Sequence, residues 1–247
     1  MNSITLPLTN VYAKGDYSAT LYIGSEQRPV NVIIDTGSST LVIAPHNEKN
    51  NYSPANDKSL TTTPAVQEVN YGIGGWAGAV VHSQIHFLAH DGTCTSSCPK
   101  PDNSDVATTT LAIVETEASA TFGDADGILG MAYHHLNKSF DLTDYFKQAK
   151  ITPATSYPWP FSISTNDSNA GSKASNKNKV EPPEFSDLRS FKSFLWQYPE
   201  HDIKPFFTQI ADQHIVDNRF SFYAKRSSVH VNVDNINAAT PSPADID

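Results

Sequence analysis

The tightest constraint on this chain is Val30-Asn31-Val32-Ile33-Ile34-Asp35, a β-branched apolar run that ends on a carboxylate. Val and Ile are stiff at χ1 and suit a pleated, buried surface, so the run reads as a strand. An Asp at the end of such a strand must be paired or serve chemistry, because burying a lone carboxylate is costly. Thr36-Gly37-Ser38-Ser39 follows at once, and Leu41-Val42-Ile43 then resumes the apolar pattern. Gly37 lets the backbone pass close to the carboxylate, and Ser38 offers it a hydroxyl.

The rest of the first half is also read in strands. Tyr17–Ile23 alternates, with Tyr17, Ala19, Leu21 and Ile23 on one face, and Gly24-Ser25-Glu26 reads as a turn. Residues 47–64 read as a polar loop with one short helical turn. Val66–Tyr71 and Ala79–Leu88 flank a glycine-rich tip, Gly72 to Gly78, and form a hairpin. Thr108–Glu115 is a further strand, and Gly127–Ala132 a short apolar segment. Past residue 150 the character changes. The run from Thr165 to Lys179 has no large apolar residue and is expected to be a mobile insertion. Phe185–Tyr198 reads as an irregular helix. Pro205–Val216 reads as a helix with Phe206, Phe207, Ile210 and Ile215 on one face. Phe220–Tyr223 and Val229–Val233 read as strands, with an unpacked tail beyond. The expected fold class is all-β: a distorted barrel or sandwich lobe with a hairpin and short helices.

Composition narrows the function. Charged residues are 17% of the 247, against about 25% in typical soluble proteins, and the net charge is −9. With no Lys/Arg cluster, neither nucleic acid nor an anionic membrane surface is an expected partner. No apolar stretch reaches bilayer-spanning length. The start, MNSITLPLTN, lacks the basic and apolar regions of a signal peptide. If Met1 is the true start, the expected compartment is the cytoplasm.

The Ile33-Ile34-Asp35-Thr36-Gly37-Ser38 pattern resembles the active-site motif of pepsin-like aspartic proteases. Tyr71-Gly72-Ile73-Gly74-Gly75 resembles that family's flap tip, the hairpin that closes over substrate. Asp126-Gly127-Ile128-Leu129-Gly130-Met131-Ala132-Tyr133 resembles the segment packed under the catalytic loop. Pro205-Phe206-Phe207 through Val216-Asp217-Asn218-Arg219-Phe220-Ser221-Phe222-Tyr223 resembles the helix and strand that close the first lobe. The matches fall in the family's order between Tyr17 and Tyr223. The resemblance implies an aspartic endopeptidase acting on polypeptides, with no metal or organic cofactor. Asp35 would be one of two catalytic carboxylates, supported by Thr36, Gly37 and Ser38, with Ser38 hydrogen-bonding Asp35. Tyr71, Gly72 and Gly74 would form the substrate-covering flap.

The departures matter equally. Where family members commonly carry a Trp that hydrogen-bonds the flap Tyr, this chain has Val42, with Trp76 nearby in sequence to the flap. A second Asp-Thr/Ser-Gly is missing from the sequence, since Asp91-Gly92 and Asp126-Gly127 lack the intervening hydroxyl residue. Two carboxylates sharing one proton are what the chemistry requires. The expected organisation is a first lobe over 1–223 with a mobile polar insertion at about 151–200. An interlobe strand and tail would occupy 224–247, with no second lobe. Two functional classes follow: an enzyme whose second Asp comes from another lobe or chain, or an inactive lobe that at most binds peptides.

Other residues are read more plainly. Gly72, Gly74, Gly75 and Gly78 do not make a dinucleotide loop, because Ala77 stands at the third glycine and no helix follows. His82, His86 and His90 recur every four residues, too far apart on a strand to share a metal, and are placed on the solvent face. Cys94 and Cys98 could close a small disulfide loop in an oxidising compartment and stay reduced in cytosol. Asn51, Asn137 and Asn166 stand in glycosylation-type triplets, read as chance matches in an Asn/Ser-rich chain. No G-x-S-x-G is present, which weighs against an α/β-hydrolase.

Overall fold

The computed structural model describes residues 3–11, 16–45, 52–71, 74–87, 106–118, 121–123, 125–134, 136, 138–151, 159–163 and 183–223. The alternating N-terminal pattern becomes three antiparallel strands, β1 (Leu8–Val11), β2 (Asp16–Ile23) and β3 (Arg28–Asp35). Ala19, Leu21, Ile23, Val30 and Val32 are buried, as period-two patterning demands. The remaining strands are β4 (Leu41–Ile43), β5 (Thr61–Tyr71), β6 (Gly74–His86), β7 (Val106–Ala118), β8 (Gly127–Gly130), β9 (Ser139–Asp141), β10 (Ser162–Ile163), β11 (Glu184–Phe185) and β12 (Glu200–His201). Ten of them form one mixed sheet in the order β1-β2-β3-β8-β4-β7-β6-β5-β9-β12, and β2 also pairs with β6, which curls the sheet back on itself. The all-β expectation holds.

The helices are α1 (Thr143–Gln148), α2 (Leu188–Leu195) and α3 (Phe206–Asp212). Asp187 caps α2 by accepting from the Ser190 N–H at 2.7 Å, and Leu188, Phe191 and Leu195 face the core at helical spacing. The stretch 151–200 is therefore not polar throughout. Trp159, Phe161, Ile163, Leu188, Phe191 and Leu195 are buried in the main core, where Phe161 and Phe191 meet at 5.1 Å between ring centres. Apolar side chains at both of its ends have core to cover, so they pack. The Thr165–Lys179 run lies outside the described residues, as do Val229–Val233 and the tail.

Other expectations change in detail. The helical turn in 47–64 is a 3-10 turn at Pro54–Asn56, but β5 already begins at Thr61. The hairpin's glycine-rich stretch is mostly strand, since β6 starts at Gly74. Gly78 is required there by close approach: a Cβ would lie 1.8 Å from the Ile113 carbonyl oxygen of β7. Phe220–Tyr223 forms no strand. Instead Phe220 packs on Phe207 and Tyr133 at 5.5 and 5.7 Å, and Phe222 on Tyr17 at 4.9 Å. His86 is buried rather than solvent-facing, because at that point β6 pairs with β7 on one side and with Tyr22 of β2 on the other. His82 is exposed as expected, and His90 lies outside the described residues.

Candidate active site

Consecutive strands β3 and β4 are not neighbours. β8 is threaded between them, parallel to β3 with Asp35 opposite Gly130, and antiparallel to β4 with Leu41 opposite Leu129. The segment from Thr36 to Thr40 must therefore arch over the end of β8. Three successive N–H groups of the departing β8 chain tie that arch down. Gly130 donates to the Thr40 carbonyl at 3.1 Å, Met131 to that of Asp35 at 2.8 Å, and Ala132 to that of Ser38 at 2.9 Å. Phe206, at the start of α3, donates to the Ser39 carbonyl at 3.0 Å, and the Leu136 N–H to the Ser39 hydroxyl at 3.1 Å.

The glycines of β8 make this threading feasible. A Cβ on Gly127 would lie 2.0 Å from the Val42 carbonyl oxygen, and one on Gly130 would lie 2.5 Å from the Thr40 nitrogen. Both clashes are with backbone, which cannot swing aside.

On this braced arch the Asp35 side chain is half-buried, with Thr36 and Gly37 exposed beside it. The Gly37 N–H donates to Asp35 Oδ1 at 2.8 Å, a charge-assisted bond from the same turn. A Cβ on Gly37 would stand 3.2 Å from that oxygen. The Ser38 hydroxyl differs from expectation. It is buried and has no hydrogen-bond partner among the described residues, so it does not donate to Asp35. The turn carries Ser38 beneath the arch, where its carbonyl is committed to Ala132, and the nearer Gly37 N–H takes the carboxylate instead.

The β5–β6 hairpin supplies the second element. Tyr71 is the last residue of β5 and is paired with Gly74, while Gly72 lies outside the described residues. Two residues of β5 that the sequence reading passed over join the hairpin to its surroundings. Gln67 is fully buried and its Nε2 donates to the Thr40 hydroxyl at 3.3 Å, linking hairpin to arch. Glu68 is 1% exposed at its side chain and faces Lys192 of α2, Nζ to Oε2 being 3.4 Å. Burial pushes the Glu68 carboxyl up, with the Lys192 charge pulling the other way. Adjacent polar residues within Val66-Gln67-Glu68-Val69 were the available signal, since in a two-sided buried strand both must find partners. Val42 and Trp76 lie in one buried cluster with Phe122, Ile128 and Ala112, so Trp76 and its neighbours fill the space around Val42.

The other carboxylates of interest serve the fold. Asp126 is buried and accepts from the Asn31 N–H at 2.8 Å, which fixes the entry of β8 beside β3. Asp57 accepts from Ser25 N–H (2.9 Å), Ser59 N–H (2.9 Å), Ser59 Oγ (2.6 Å), Ser83 Oγ (2.6 Å) and Tyr52 OH (3.1 Å). Gly24 at φ +75° makes room for it, since a Cβ there would meet its Cγ at 2.6 Å. Among the described residues no group of three or more His, Cys, Asp or Glu could hold a metal ion, and no helix is long and apolar enough to cross a membrane. Cys94 and Cys98 lie outside the described residues.

A family model described as eukaryotic aspartyl protease matches residues 16–172, well over half of the chain. The chain belongs to the eukaryotic aspartyl protease family. Pepsin A of Gallus gallus is 30% identical over 143 residues, covering 54% of this chain and 35% of that protein. Chymosin of Camelus dromedarius is 27% identical over 143 residues, covering 55% of this chain and 34% of that protein. The chain thus spans about a third of the length of the curated relatives it matches. The region matched by the family model contains the Asp35 arch, the β5–β6 hairpin and β8. The residues after 172, including α2 and α3, lie beyond it.

Proposed function

We propose that this chain supplies one half of an aspartic endopeptidase site, with Asp35 as its catalytic carboxylate. The observation that carries this reading is the Asp35–Gly37 turn, a half-buried carboxylate held by its own loop on an arch braced from β8 and α3. A second carboxylate would face Asp35 from a second lobe or a second chain. Two carboxylates so close cannot both ionise, so they share a proton. The ionised one acts as general base on a bound water, which attacks the scissile carbonyl. The protonated one donates to that carbonyl oxygen as it gains charge. The amine then leaves with a proton, and the dyad returns to its singly protonated state. Thr36 and Gly37 keep the carboxylate in place, Ser38 packs beneath the arch, and the Tyr71–Gly74 end of the hairpin covers a polypeptide substrate. Neither metal nor organic cofactor enters.

The test is cleavage of an unfolded protein at acidic pH as a function of chain concentration, with Asp35→Asn as control. A monomer is expected to be inactive because it holds one carboxylate. Activity that needs a second Asp-Thr/Ser-Gly half and is lost in Asp35→Asn supports the reading. Pepstatin-sensitive cleavage by a demonstrated monomer, or cleavage that survives Asp35→Asn, overturns it.

A further inference from the structure

The Glu68–Lys192 pair lies outside the catalytic arch, yet it acts on the strand that carries Tyr71. Glu68 stands three residues before Tyr71 on β5, with its side chain sealed from water, Lys192 at 3.4 Å as its ion-pair partner among the described residues, and Asn70 of the same strand as its further polar support. A buried charge so sparsely compensated destabilises the state that buries it, whereas the neutral acid does not. Among the described residues Glu68 is the buried carboxyl at this point of the sheet. Opposite it, Ala77 of β6 and Thr116 of β7 are uncharged, Glu115 stands at the β7 bulge beside Thr116, and on the β9 side Lys138, next to Ser139, is paired with the exposed Glu200. Asn70 is the polar neighbour on its own strand, and Lys192 is the charge acting from α2, whose other cation, Arg189, is exposed. Glu117 of β7 stands opposite Trp76, on the other face, and His82 and His86 lie further along β6 against Thr110 and Val106.

We propose that Glu68 and Lys192 make the seating of the flap strand on α2 depend on pH, firm in acid and looser toward neutrality, with Lys192 a positioning residue that limits the loosening. The sign follows from linkage. An opening that brings Glu68 to water favours its ionised form, and the seated strand favours the protonated one, so falling pH favours the seated state. The significance for catalysis rests on reading β5–β6 as the substrate-covering flap: the flap base would be most ordered under the acidic conditions in which a carboxylate dyad works.

Amide hydrogen exchange on the full chain tests this without any catalysis. Protection factors, which remove the intrinsic pH dependence of exchange, are compared between pH 7 and pH 4.5 for residues 68–71 and 74–77, with β3 and β8 as internal reference. In the wild type the flap-base amides are expected to gain roughly threefold or more over the reference as pH falls. Glu68→Gln is expected to show the acid level at both pH values, and Lys192→Met a steeper dependence than wild type. Side-chain carboxyl NMR of wild-type Glu68 gives an independent measure that needs no variant to fold. Its titration midpoint is expected above the ordinary Glu range, and higher still in Lys192→Met. A flat flap-base profile in the wild type, a Glu68→Gln that keeps the wild-type dependence, or a midpoint at or below the ordinary range overturns the proposal. A chain lacking protease activity but showing the expected exchange overturns only the catalytic reading.

Discussion

The Gly37 N–H points at Oδ1 of Asp35 from two residues down the chain, at 2.8 Å. The orientation of the carboxylate is thus set within its own turn, and that turn is held by carbonyl-to-amide bonds from the chain leaving β8. The Asp35 carboxylate is oriented in advance by its own turn, which is what the proposed half-site would need for electrostatic catalysis.

Gly37→Ala tests how tightly that orientation is set. The new Cβ would stand 3.2 Å from Oδ1, so the carboxylate must yield by a few tenths of an ångström. Fold stability is expected to fall by less than about 1 kcal/mol, since the site is exposed. In an assembled two-carboxylate site kcat is expected to fall by at least about tenfold, because small misplacements of reacting groups are costly. Urea midpoints and kcat read the two effects separately, and an unchanged kcat would contradict the expectation.

Gly130→Ala should behave in the opposite way. Its Cβ would press on the Thr40 nitrogen at 2.5 Å and the Ser39 backbone at 2.7 Å, so the arch or β8 must move. The expected loss is about 3 kcal/mol or more, from overpacking against backbone. A urea midpoint within error of wild type would show that the threading tolerates a side chain.

Phe191→Ala should detach the second half of the chain from the core. Phe191 is fully buried, with ring centres of Trp159, Phe161 and Phe185 at 5.5, 5.1 and 5.0 Å. The expected cost is about 3–5 kcal/mol, with a red shift in tryptophan emission as Trp159 gains water. Unfolding midpoint and emission maximum check it, and a change in neither would mean that the aromatic cluster is dispensable.

Two buried groups give the fold opposite demands on protons from that of Glu68. For Asp57, burial pushes the carboxyl up, but the donors from Ser59, Ser83 and Ser25 outweigh it and hold the carboxyl below its ordinary range. Its contribution is present above the ordinary Asp value of about 4 and is lost as pH falls below that. For His86, burial lowers the imidazole, opposed by the Asp57 charge. The unfolded chain takes up that proton from about pH 6.5 downward before the fold does, so stability falls with pH from there. Relative to wild type, Asp57→Asn is expected to cost most at neutral pH and progressively less below about pH 4. His86→Leu should gain on wild type as pH drops from 7 to 5. Urea midpoints across pH 3–8 check both, and parallel profiles for wild type and variants would refute the assignment.

Local sequence carried the elements whose cause is local. The β-branched run ending on Asp35, the Tyr17–Ile23 alternation and the spacing of Phe206, Phe207 and Ile210 each specify a strand or helix face from neighbours a few residues away. Asp35-Thr36-Gly37 specifies its own turn, since donor and acceptor sit two residues apart. The tertiary structure decided everything that depends on which strand lies beside which. His86 has exposed-strand parity but is sealed by the second pairing of β6 with β2. Ser38 loses the carboxylate because β8, almost a hundred residues later, captures the arch by its carbonyls. Gln67 and Glu68 find their partners only because the fold brings Thr40 and Lys192 to them from distant segments. The chain's own order determined a carboxylate on a turn between two buried strands. Only long-range packing determined which polar groups that turn and the β5–β6 hairpin would find as partners, because a buried hydrogen bond or ion pair is set by the neighbour the fold delivers.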